Sequence, residues 1–543
     1  MRQRPNPFRL ILVTILLSYA TNYTWGWRDS DWYPIPYMLA FFLACAFLQI
    51  LLLILHLIYK GVRYWFLFRP KGYGGTASFA NSKELEKTGL HENQGFLVGL
   101  DERKKPVFAE IESSGYVLSP AGGGKTIGFV IPALCWIAMS MIVPDFKGTL
   151  AVMTAKYRKK KFKHNCLTIN PAGLHQDILG NGVSYNPLII LIESWNDPAR
   201  HIYVMDDARA MAKQISPDPP HKDGNQYFRN GARKYLVFAF LYVVIFKEKK
   251  TLTECLALLS DEEALNAALE ASKNSRALNG DLSLLAKDIL TKKEKGKAEQ
   301  LESFREGAVQ ALEIYSPSGT LAKVTDQCDF RFSELRLKKL TIYLIADPTR
   351  QSVYAPWLGL LFWCAITELI RNPAGEEVCL LCDEATNFRI EGLPSLLTMA
   401  REYRLIMWLI LQELEMWRFL YGPEALETLQ SQSEAKLLMG LRSPSACRMA
   451  SELLGEESIK TKNYSIGASI LDPINRSVHE QSRKLKTPDE MRREVKSVLI
   501  YRKAKAALLD PIGYHEIAPW KAQVGINPLF GKKFKGKTRL RVT

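Results

Sequence analysis

A glycine-rich stretch, residues 119–126, carries the clearest chemical pattern of the sequence. It follows a short apolar run and precedes a segment that can be helical, which is the strand–loop–helix layout of a phosphate-binding P-loop. In such a loop, backbone N–H groups cradle phosphate oxygens, the lysine reaches the β- and γ-phosphates, and the threonine hydroxyl binds Mg²⁺. The pattern therefore predicts that ATP and Mg²⁺ bind at Ser119, Pro120, Ala121, Gly122, Gly123, Gly124, Lys125 and Thr126, with Thr126 as a metal ligand.

A pair of acidic residues, Asp383 and Glu384, closes the apolar run Val-Cys-Leu-Leu-Cys at residues 378–382. A strand that delivers two carboxylates at its end is the Walker B arrangement, in which Asp383 holds Mg²⁺ and Glu384 acts as the general base on water. An acidic pair is also common at helix N-caps. In a chain that already has a P-loop, the pair predicts an ATP-hydrolysing site.

A third apolar run, residues 405–411, ends at Gln412 and is preceded by Arg401 and Arg404. A glutamine at a neighbouring strand end can contact the γ-phosphate or its water, and an arginine can act as a finger in the site of an adjacent subunit. We therefore add Gln412 and Arg401 to the catalytic residues. Either arginine could equally form a surface salt bridge, and spacing does not decide between Arg401 and Arg404.

Composition and charge narrow the class of protein. The 543-residue chain has room for several domains and has a net charge of +16, which suits nucleic acid or anionic membrane partners as well as a plain solvated surface. Its nine cysteines have no regular spacing, which argues against a disulfide scaffold, and its eight histidines form no metal-spacing motif. Cys379 and Cys382 lie in an apolar run, so we predict buried thiols there.

The N-terminal part has the pattern of a membrane anchor. Residues 11–27 and 37–59 form two apolar segments, and the second is long enough to span a bilayer. Arg2, Arg4 and Arg9 precede the first segment, and basic residues follow the second, so both ends are predicted to be cytoplasmic. The expected structure is a transmembrane helix hairpin over residues 1–69. A signal peptide is the alternative for the first segment.

The rest of the chain is predicted to be α/β, with a parallel-rich central sheet. Apolar β-type runs alternate with helical stretches over residues 70–216 and again over 336–520, which indicates one nucleotide-binding domain in two parts. Residues 217–335 have helical periodicity and are predicted to be an inserted all-α domain. Residues 521–543 contain seven basic and no acidic residues, and we predict a disordered tail that either binds an anionic partner or only aids solubility.

Several segments, taken in order, resemble the type IV secretion coupling proteins of the TraG/TraD type, which are related to FtsK-like and HerA-like motor ATPases. The resemblance rests on Gly-Thr-Ala at 75–77, the loop at 119–126, Asp-Phe-Lys-Gly at 145–148, Tyr-Asn-Pro-Leu at 185–188, Leu-Cys-Asp-Glu-Ala at 381–385, residues 401–412, and Leu-Lys-Thr-Pro-Asp-Glu at 485–490. It implies a RecA-like P-loop NTPase fold and extends to about residue 520.

The resemblance also implies a homohexameric ATPase anchored in the inner membrane, and the hairpin predicted from the two apolar segments makes it a multi-pass protein. Such a protein receives DNA–protein or protein substrates and passes them to inner-membrane components of a type IV secretion channel. Whether the cargo is DNA, protein or both stays open. Ser119, where the family has glycine, motivates an alternative, a nucleotide-binding docking platform for protein effectors with little translocase activity. A septal DNA pump is a third hypothesis, but it predicts further membrane spans and a winged-helix end.

Overall fold

The computed structural model describes residues 34–68, 75–220, 223–465, 475–502 and 504–542. The strands are β1 Phe96–Leu100, β2 Pro106–Ala109, β3 Ser114–Leu118, β4 Ser140–Asp145, β5 Asn165–Ile169, β6 Leu340–Ile345, β7 Val378–Cys382, β8 Leu405–Leu411, β9 Ser433–Leu438, β10 Glu456–Ser465, β11 Asn475–Lys484, β12 Ser497–Tyr501, β13 Ala507–Leu509, β14 Ile517–Ala518 and β15 Leu540–Arg541.

The helices are α1 Pro34–Phe68, α2 Ser82–Lys87, α3 Ile131–Trp136, α4 Thr149–Phe162, α5 Gln176–Leu179, α6 Ile189–Asn196, α7 Val204–Ile215, α8 Gln226–Phe246, α9 Leu252–Ser260, α10 Glu262–Ser272, α11 Asp281–Glu294, α12 Ala298–Leu312, α13 Thr320–Val324, α14 Gln351–Arg371, α15 Leu393–Met399, α16 Leu414–Tyr421, α17 Pro423–Gln432, α18 Pro444–Leu454, α19 Pro488–Arg493 and α20 Trp520–Gln523. The structure divides into two compact units, and α1 and most of the β10–β11 pair belong to the smaller one.

A mostly parallel sheet organises the larger unit. Within the described ranges it has nine strands, in the order β13-β12-β9-β3-β8-β7-β4-β6-β5. β3 pairs in parallel with both β8 and β9, and β7 pairs in parallel with β8 and β4. β12 and β13 add an antiparallel edge. The predicted parallel-rich α/β fold is therefore confirmed, and the strands that precede the P-loop, the acidic pair and Gln412 are neighbours.

Both faces of the sheet are covered, which explains why its central strands are mostly apolar. In β3, Tyr116 and Leu118 pack into one hydrophobic cluster, while Val117 between them packs into the other. Side chains alternate between the two faces of a strand, so a strand that is buried on both sides is apolar except near its ends, as at Ser114 and Asp145. Cys379 and Cys382 in β7 are buried in the same way, as the sequence predicts.

The helical insertion shares its core with the sheet. Helices α8 to α13 lie in the predicted range, 217–335, but α6 and α7 come before it and belong to the same hydrophobic cluster. That cluster also contains sheet residues such as Ile342. Because this cluster includes sheet residues as well as helical ones, it does not mark where the insertion begins, and the boundary at residue 217 stays a prediction.

The Tyr-Asn-Pro-Leu segment joins the insertion to the rest of the unit. The Tyr185 hydroxyl donates a hydrogen bond to Glu368 in α14 at 2.5 Å, and Asn186 donates to the carbonyl of Lys250, just before α9, at 2.6 Å. Burial raises the pKa of Glu368, which favours the protonated carboxyl. This segment, which resembles a family motif, has a structural role here.

A buried arginine holds the connection between α3 and β4. Arg158 of α4 is 0% exposed, and its guanidinium donates to the carbonyls of Leu134, Ile137 and Met139 at 2.8, 2.8 and 2.7 Å. It also donates to the Thr341 hydroxyl at 2.7 Å. Every one of these acceptors is neutral, and the guanidinium also lies over the Phe162 ring, 5.3 Å from its centroid, so hydrogen bonds and a cation–π contact stabilise the cation.

The C-terminal segment has defined contacts, in contrast to the disordered tail that its composition predicts. Trp520 and Val524 are buried, the Gly525 N–H donates to the Met153 carbonyl at 2.8 Å, and β15 pairs in parallel with β14. Apolar anchors and main-chain bonds hold this segment against the sheet domain. The basic composition of the segment does not predict these contacts.

The helix α1 contains the second predicted membrane segment. From Phe42 to Val62 it is apolar and is not buried by other parts of the structure, and by length and composition it can cross a membrane. Residues 348–371 pass the same test, but they are mostly buried and form a core helix of the larger unit. The first predicted segment, residues 11–27, lies outside the described residues.

Candidate nucleotide-binding and catalytic site

The glycine-rich loop turns sharply after β3 and leads into a helix. Gly122 and Gly124 have φ of +75° and +89°, a region that favours glycine. A Cβ at either position would meet no atom of the described residues within 4 Å, so the loop surface beside them is open to that part of the chain. The Gly128 N–H then donates to the Gly124 carbonyl at 2.8 Å. This conformation leaves exposed backbone for an anion, as the sequence pattern predicts.

Ser119 lies beneath the loop. Its side chain is 0% exposed, its N–H donates to the Leu411 carbonyl of β8 at 3.0 Å, and a Cβ on Gly123 would come within 2.3 Å of its hydroxyl oxygen. The serine hydroxyl thus occupies the space against which Gly123 packs. It supports the loop from the buried side, and the open surface beside Gly122 and Gly124 is retained.

Lys125 is a buried cation without a hydrogen-bond partner in the part of the chain that the structure describes. The residue is 7% exposed and its Nζ is fully enclosed. Burial lowers the pKa of Lys125, while the nearby carboxylates of Asp383 and Glu384 oppose that shift. A buried ammonium with no acceptor costs free energy, and a phosphate oxygen would satisfy it.

Two buried aspartates end the neighbouring strands β4 and β7. Burial raises the pKa of Asp383 to about 6, with Lys125 opposing the shift and Glu384 and Asp145 adding to it. Burial likewise raises the pKa of Asp145 to about 6, although its carboxylate accepts the Ala151 N–H at 2.9 Å. Two close carboxylates beside one ammonium carry excess negative charge, which a divalent cation would offset.

Glu384 is held in place by two amide side chains. Asn387 donates to one carboxylate oxygen at 2.7 Å and Gln412 to the other at 3.4 Å. Glu384 has φ of +56°, an uncommon conformation for a residue other than glycine. The Ala385 N–H donates to the Ile410 carbonyl at 3.1 Å, which keeps the ends of β7 and β8 in register. The predicted base and the predicted sensor are therefore in direct contact.

Two cavities flank the loop. One, of about 200 Å³, is lined by Thr126, Asp145, Asp383 and Glu384 together with side chains of the C-terminal segment. The other, of about 430 Å³, is lined by Pro120, Ala121 and Gln412 with residues before and within α18. The structure thus brings the loop residues, the acidic pair and Gln412 to the carboxyl edge of the sheet, as the order of the motifs predicts.

The predicted finger residue Arg401 lies elsewhere. It precedes β8, whereas Gln412 follows it, so the two residues mark opposite ends of this strand. At about 3.3 Å per residue, seven residues of β8 separate them by roughly 20 Å. Arg401 forms an ion pair with Glu112, and Arg404 donates to the Gly375 carbonyl at 2.5 Å. Neither arginine reaches the loop of its own chain.

Residues that the sequence reasoning did not assign also belong to the site. Asp145 closes an apolar strand just as Asp383 does, so the same strand-end signal was available for it. Asn387 had no signal in the sequence, because its role depends on how the turn after β7 folds back on Glu384. The aromatic residues of the C-terminal segment were hidden by its basic composition.

Comparison with known proteins identifies the family. The family model described as Type IV secretory system Conjugative DNA transfer matches residues 78–518. The protein VirD4 of Rhizobium radiobacter is 23% identical over 459 residues, which cover 78% of this chain and 61% of that protein. The conjugal transfer protein TraG of Escherichia coli is 23% identical over 473 residues, which cover 77% of this chain and 70% of that protein. This chain thus spans about 61% of the length of the R. radiobacter VirD4.

Solved structures agree on the fold. The bacterial conjugative coupling protein TrwBdeltaN70 has a TM-score of 0.58 at 14% identity, over 80% of this chain and 92% of that one. The plasmid coupling protein TrwB in complex with ADP and Mg²⁺ has a TM-score of 0.56 at 13% identity, over 80% and 93%. The predicted RecA-like fold is therefore confirmed. With a family match that covers most of its length, the chain belongs to the type IV secretory system conjugative DNA transfer family.

Proposed function

We propose that this protein is a membrane-anchored P-loop ATPase that couples ATP hydrolysis to the delivery of DNA–protein or protein substrates into a type IV secretion channel. The observation that carries the proposal is the buried ammonium of Lys125, which has no hydrogen-bond partner among the described residues and lies near an open glycine loop and the carboxylates of Asp383 and Glu384. The family match and the nucleotide bound to TrwB, a protein with the same fold, support it.

The nucleotide phosphates would be held by the backbone of the loop and by Lys125. The residues present fit Mg²⁺ as well, since Thr126 lines the same cavity as the buried carboxylates of Asp383 and Asp145. Bound there, the metal would neutralise negative charge on the phosphates. Lys125 would donate to a phosphate oxygen, which gives its ammonium the acceptor that it lacks within the described residues.

Glu384 is the general base in this proposal. The amides of Asn387 and Gln412 donate to its two oxygens and so orient the carboxylate, and Glu384 lines the cavity that Thr126 and Asp383 also line. From that position it would accept a proton from the attacking water. Gln412 contacts Glu384 directly, so a change at the γ-phosphate would be passed on to the end of β8.

The finger assignment of Arg401 requires a neighbouring subunit. Its distance from the loop of its own chain is compatible with action on the next site of a ring, and we propose a homohexamer in which Arg401 serves that role. The ion pair with Glu112 would then have to open or be shared. Exposed ion pairs of this kind contribute little to stability, so opening it costs little.

The membrane part of the proposal rests on α1. Its apolar, exposed stretch suits the bacterial inner membrane. The basic residues before the first apolar segment and after the second favour cytoplasmic termini with a short hairpin outside. We also propose type IV secretion inner-membrane components as partners. The net charge of +16 suits contact with a DNA backbone, which would weaken with salt.

The test is the ATPase rate of the detergent-solubilised full chain, with and without single-stranded DNA. Glu384→Gln should lower the rate by about 10²–10⁴-fold, and Lys125→Ala should weaken nucleotide binding by about 100-fold or more. Lys505→Ala, which removes an exposed lysine that pairs with Glu84, is the matched control and should leave the rate unchanged.

Each outcome points to a different function. Stimulation by DNA supports a DNA-pumping motor, and turnover indifferent to DNA supports a protein-substrate receptor. Tight ATP binding without turnover would favour the docking platform. A Lys125→Ala protein that hydrolyses ATP at the normal rate would overturn the site itself.

A further inference from the structure

The C-terminal segment reaches the P-loop cavity. After α20, Gly525 approaches α4 so closely that a Cβ would lie 2.9 Å from the Val152 carbonyl oxygen. Further along, Lys533 donates to the Ala522 carbonyl at 2.7 Å, and the Arg539 N–H donates to the Glu516 carbonyl at 2.8 Å. The segment is thus fixed at both ends of the stretch 527–534. The family match stops at residue 518, so this stretch lies beyond it.

The cavity that it closes has two chemically different parts. One part is polar and contains Thr126, Asp145 and Asp383, which are proposed to hold the metal, together with Glu384. The other is apolar, and the C-terminal segment supplies three of its nine side chains: Ile127, Ile131, Pro144, Phe146, Leu150, Met153, Leu529, Phe530 and Phe534. A nucleoside triphosphate has the same division, with a charged chain at one end and a flat aromatic base at the other.

The aromatic side chains of the segment are poorly buried. Phe530 is 59% exposed and Phe534 39%, although both lie in the ordered stretch. Their ring centroids are 6.0 Å apart and the rings are nearly perpendicular, at 78°, and Phe534 also contacts the His515 ring at 5.8 Å. Exposed apolar rings that line a cavity beside a phosphate site are suited to stack on a planar ligand.

We propose that Leu529, Phe530 and Phe534 form the wall that binds the base of the nucleotide. This inference rests on the proposed function, because it extends the same site. The P-loop holds the phosphates, and the C-terminal segment buries the base against Ile127 and Met153. The segment thereby contributes to nucleotide affinity, which its basic composition does not suggest.

The experiment compares two ligands on the full chain. Equilibrium binding of Mg–ATP and of inorganic tripolyphosphate with Mg²⁺ is measured for the wild type and for the double variant Phe530→Ala/Phe534→Ala. Tripolyphosphate reports the phosphate end alone, since it has no base. The matched control is Phe246→Ala, an exposed phenylalanine of the helical insertion, 51% exposed, that does not line this cavity. Phe530→Tyr keeps an aromatic ring and tests for rescue.

In the double variant, ATP affinity should fall about tenfold or more, as expected for lost base–aromatic stacking, while tripolyphosphate affinity should stay the same. Phe530→Tyr and Phe246→Ala should bind ATP as the wild type does. Unchanged ATP affinity in the double variant, or an equal loss of affinity for both ligands, would contradict the assignment of Phe530 and Phe534 to the base-binding wall. A wild-type chain that binds neither ligand would overturn the proposed function and this inference with it.

Discussion

Two buried cations on the same sheet domain have opposite surroundings. Arg158 is enclosed and donates to three backbone carbonyls and a hydroxyl, whereas Lys125 is enclosed and has no acceptor in the described ranges. Burial lowers the pKa of both groups. For Arg158 the fold itself provides the hydrogen bonds that offset desolvation. For Lys125 the described residues provide no hydrogen bond that would offset the cost of desolvation.

The difference distinguishes a cation whose hydrogen bonds the fold itself provides from one that we propose to be completed by a ligand. A buried charge whose donors are satisfied stabilises one conformation, while a buried charge left without partners costs stability until a ligand binds. The two sites should therefore respond in opposite ways to loss of the charge, and the predictions below test this contrast.

The largest expected effect is on stability, at Arg158. Arg158→Met removes all four hydrogen bonds and leaves carbonyls unsatisfied in the interior, which should lower the free energy of unfolding by about 3–5 kcal/mol. Urea denaturation of the full chain measures the change. ATP affinity per folded molecule should not alter. Arg209→Met, at an exposed arginine, is the control, and equal stability of the two variants would contradict the structural role.

The reverse pattern is expected at Lys125. Lys125→Met should weaken ATP binding by about 100-fold, since charge-assisted hydrogen bonds to phosphate are lost. The ligand-free protein should be as stable as the wild type or more so, because an unpartnered buried charge is removed. Binding and denaturation are measured on the same preparation. A clear loss of stability in the ligand-free variant would remove the contrast with Arg158.

The stability of the protein should depend on pH through His164, which lies beside Arg158. Burial, together with the charge of Arg158, lowers the pKa of His164 to about 4. Its ring contacts Thr341 at 2.9 Å and the Ala138 carbonyl at 2.8 Å. In the unfolded chain His164 binds a proton as the pH falls below about 6.5, whereas in the folded chain it does so only near pH 4. The contribution of neutral His164 to the free energy of unfolding is therefore present above pH 6.5 and is lost as the pH falls toward 4.

Between pH 6.5 and 5 the loss should be about 2 kcal/mol. His164→Gln should flatten this part of the stability curve, as measured by urea denaturation at a series of pH values. Identical pH slopes for the variant and the wild type would show that other groups carry the acid sensitivity.

The smallest effect should come from the amides that orient Glu384. Gln412→Ala or Asn387→Ala should lower kcat by about tenfold while KM changes little, because the carboxylate keeps its place but loses a directing hydrogen bond. Steady-state kinetics separate the two parameters. A rise in KM at constant kcat would instead indicate that the residue binds the nucleotide in its ground state.

The motifs of the site were predictable because each is local. An apolar run that ends in glycines, in Asp383 or in Gln412 marks a strand end, and parallel strands place their carboxyl ends at one edge of a sheet. The order of those strands brought Glu384 and Gln412 into contact. Asn387 and the network of Arg158 were not predictable, since their partners are set by packing between distant elements.

The C-terminal segment shows where composition misleads. Its seven basic residues predict a solvated arm, yet Trp520, Val524 and the pairing of β15 with β14 hold it on the sheet domain. A few apolar anchors and main-chain hydrogen bonds outweigh a run of charges that stay in solvent. Such anchors have no periodic signal in so short a segment.

By itself, the sequence determined the α/β class, the P-loop, the acidic pair and the apolar segment that became α1, because these depend on local pattern and on the burial of whole strands. Only the tertiary structure decided that Lys125 lacks an acceptor within the described residues, that Ser119 lies beneath the loop and that Phe530 lines the cavity. Those features depend on distances between residues far apart in the chain, which side-chain type and spacing do not encode.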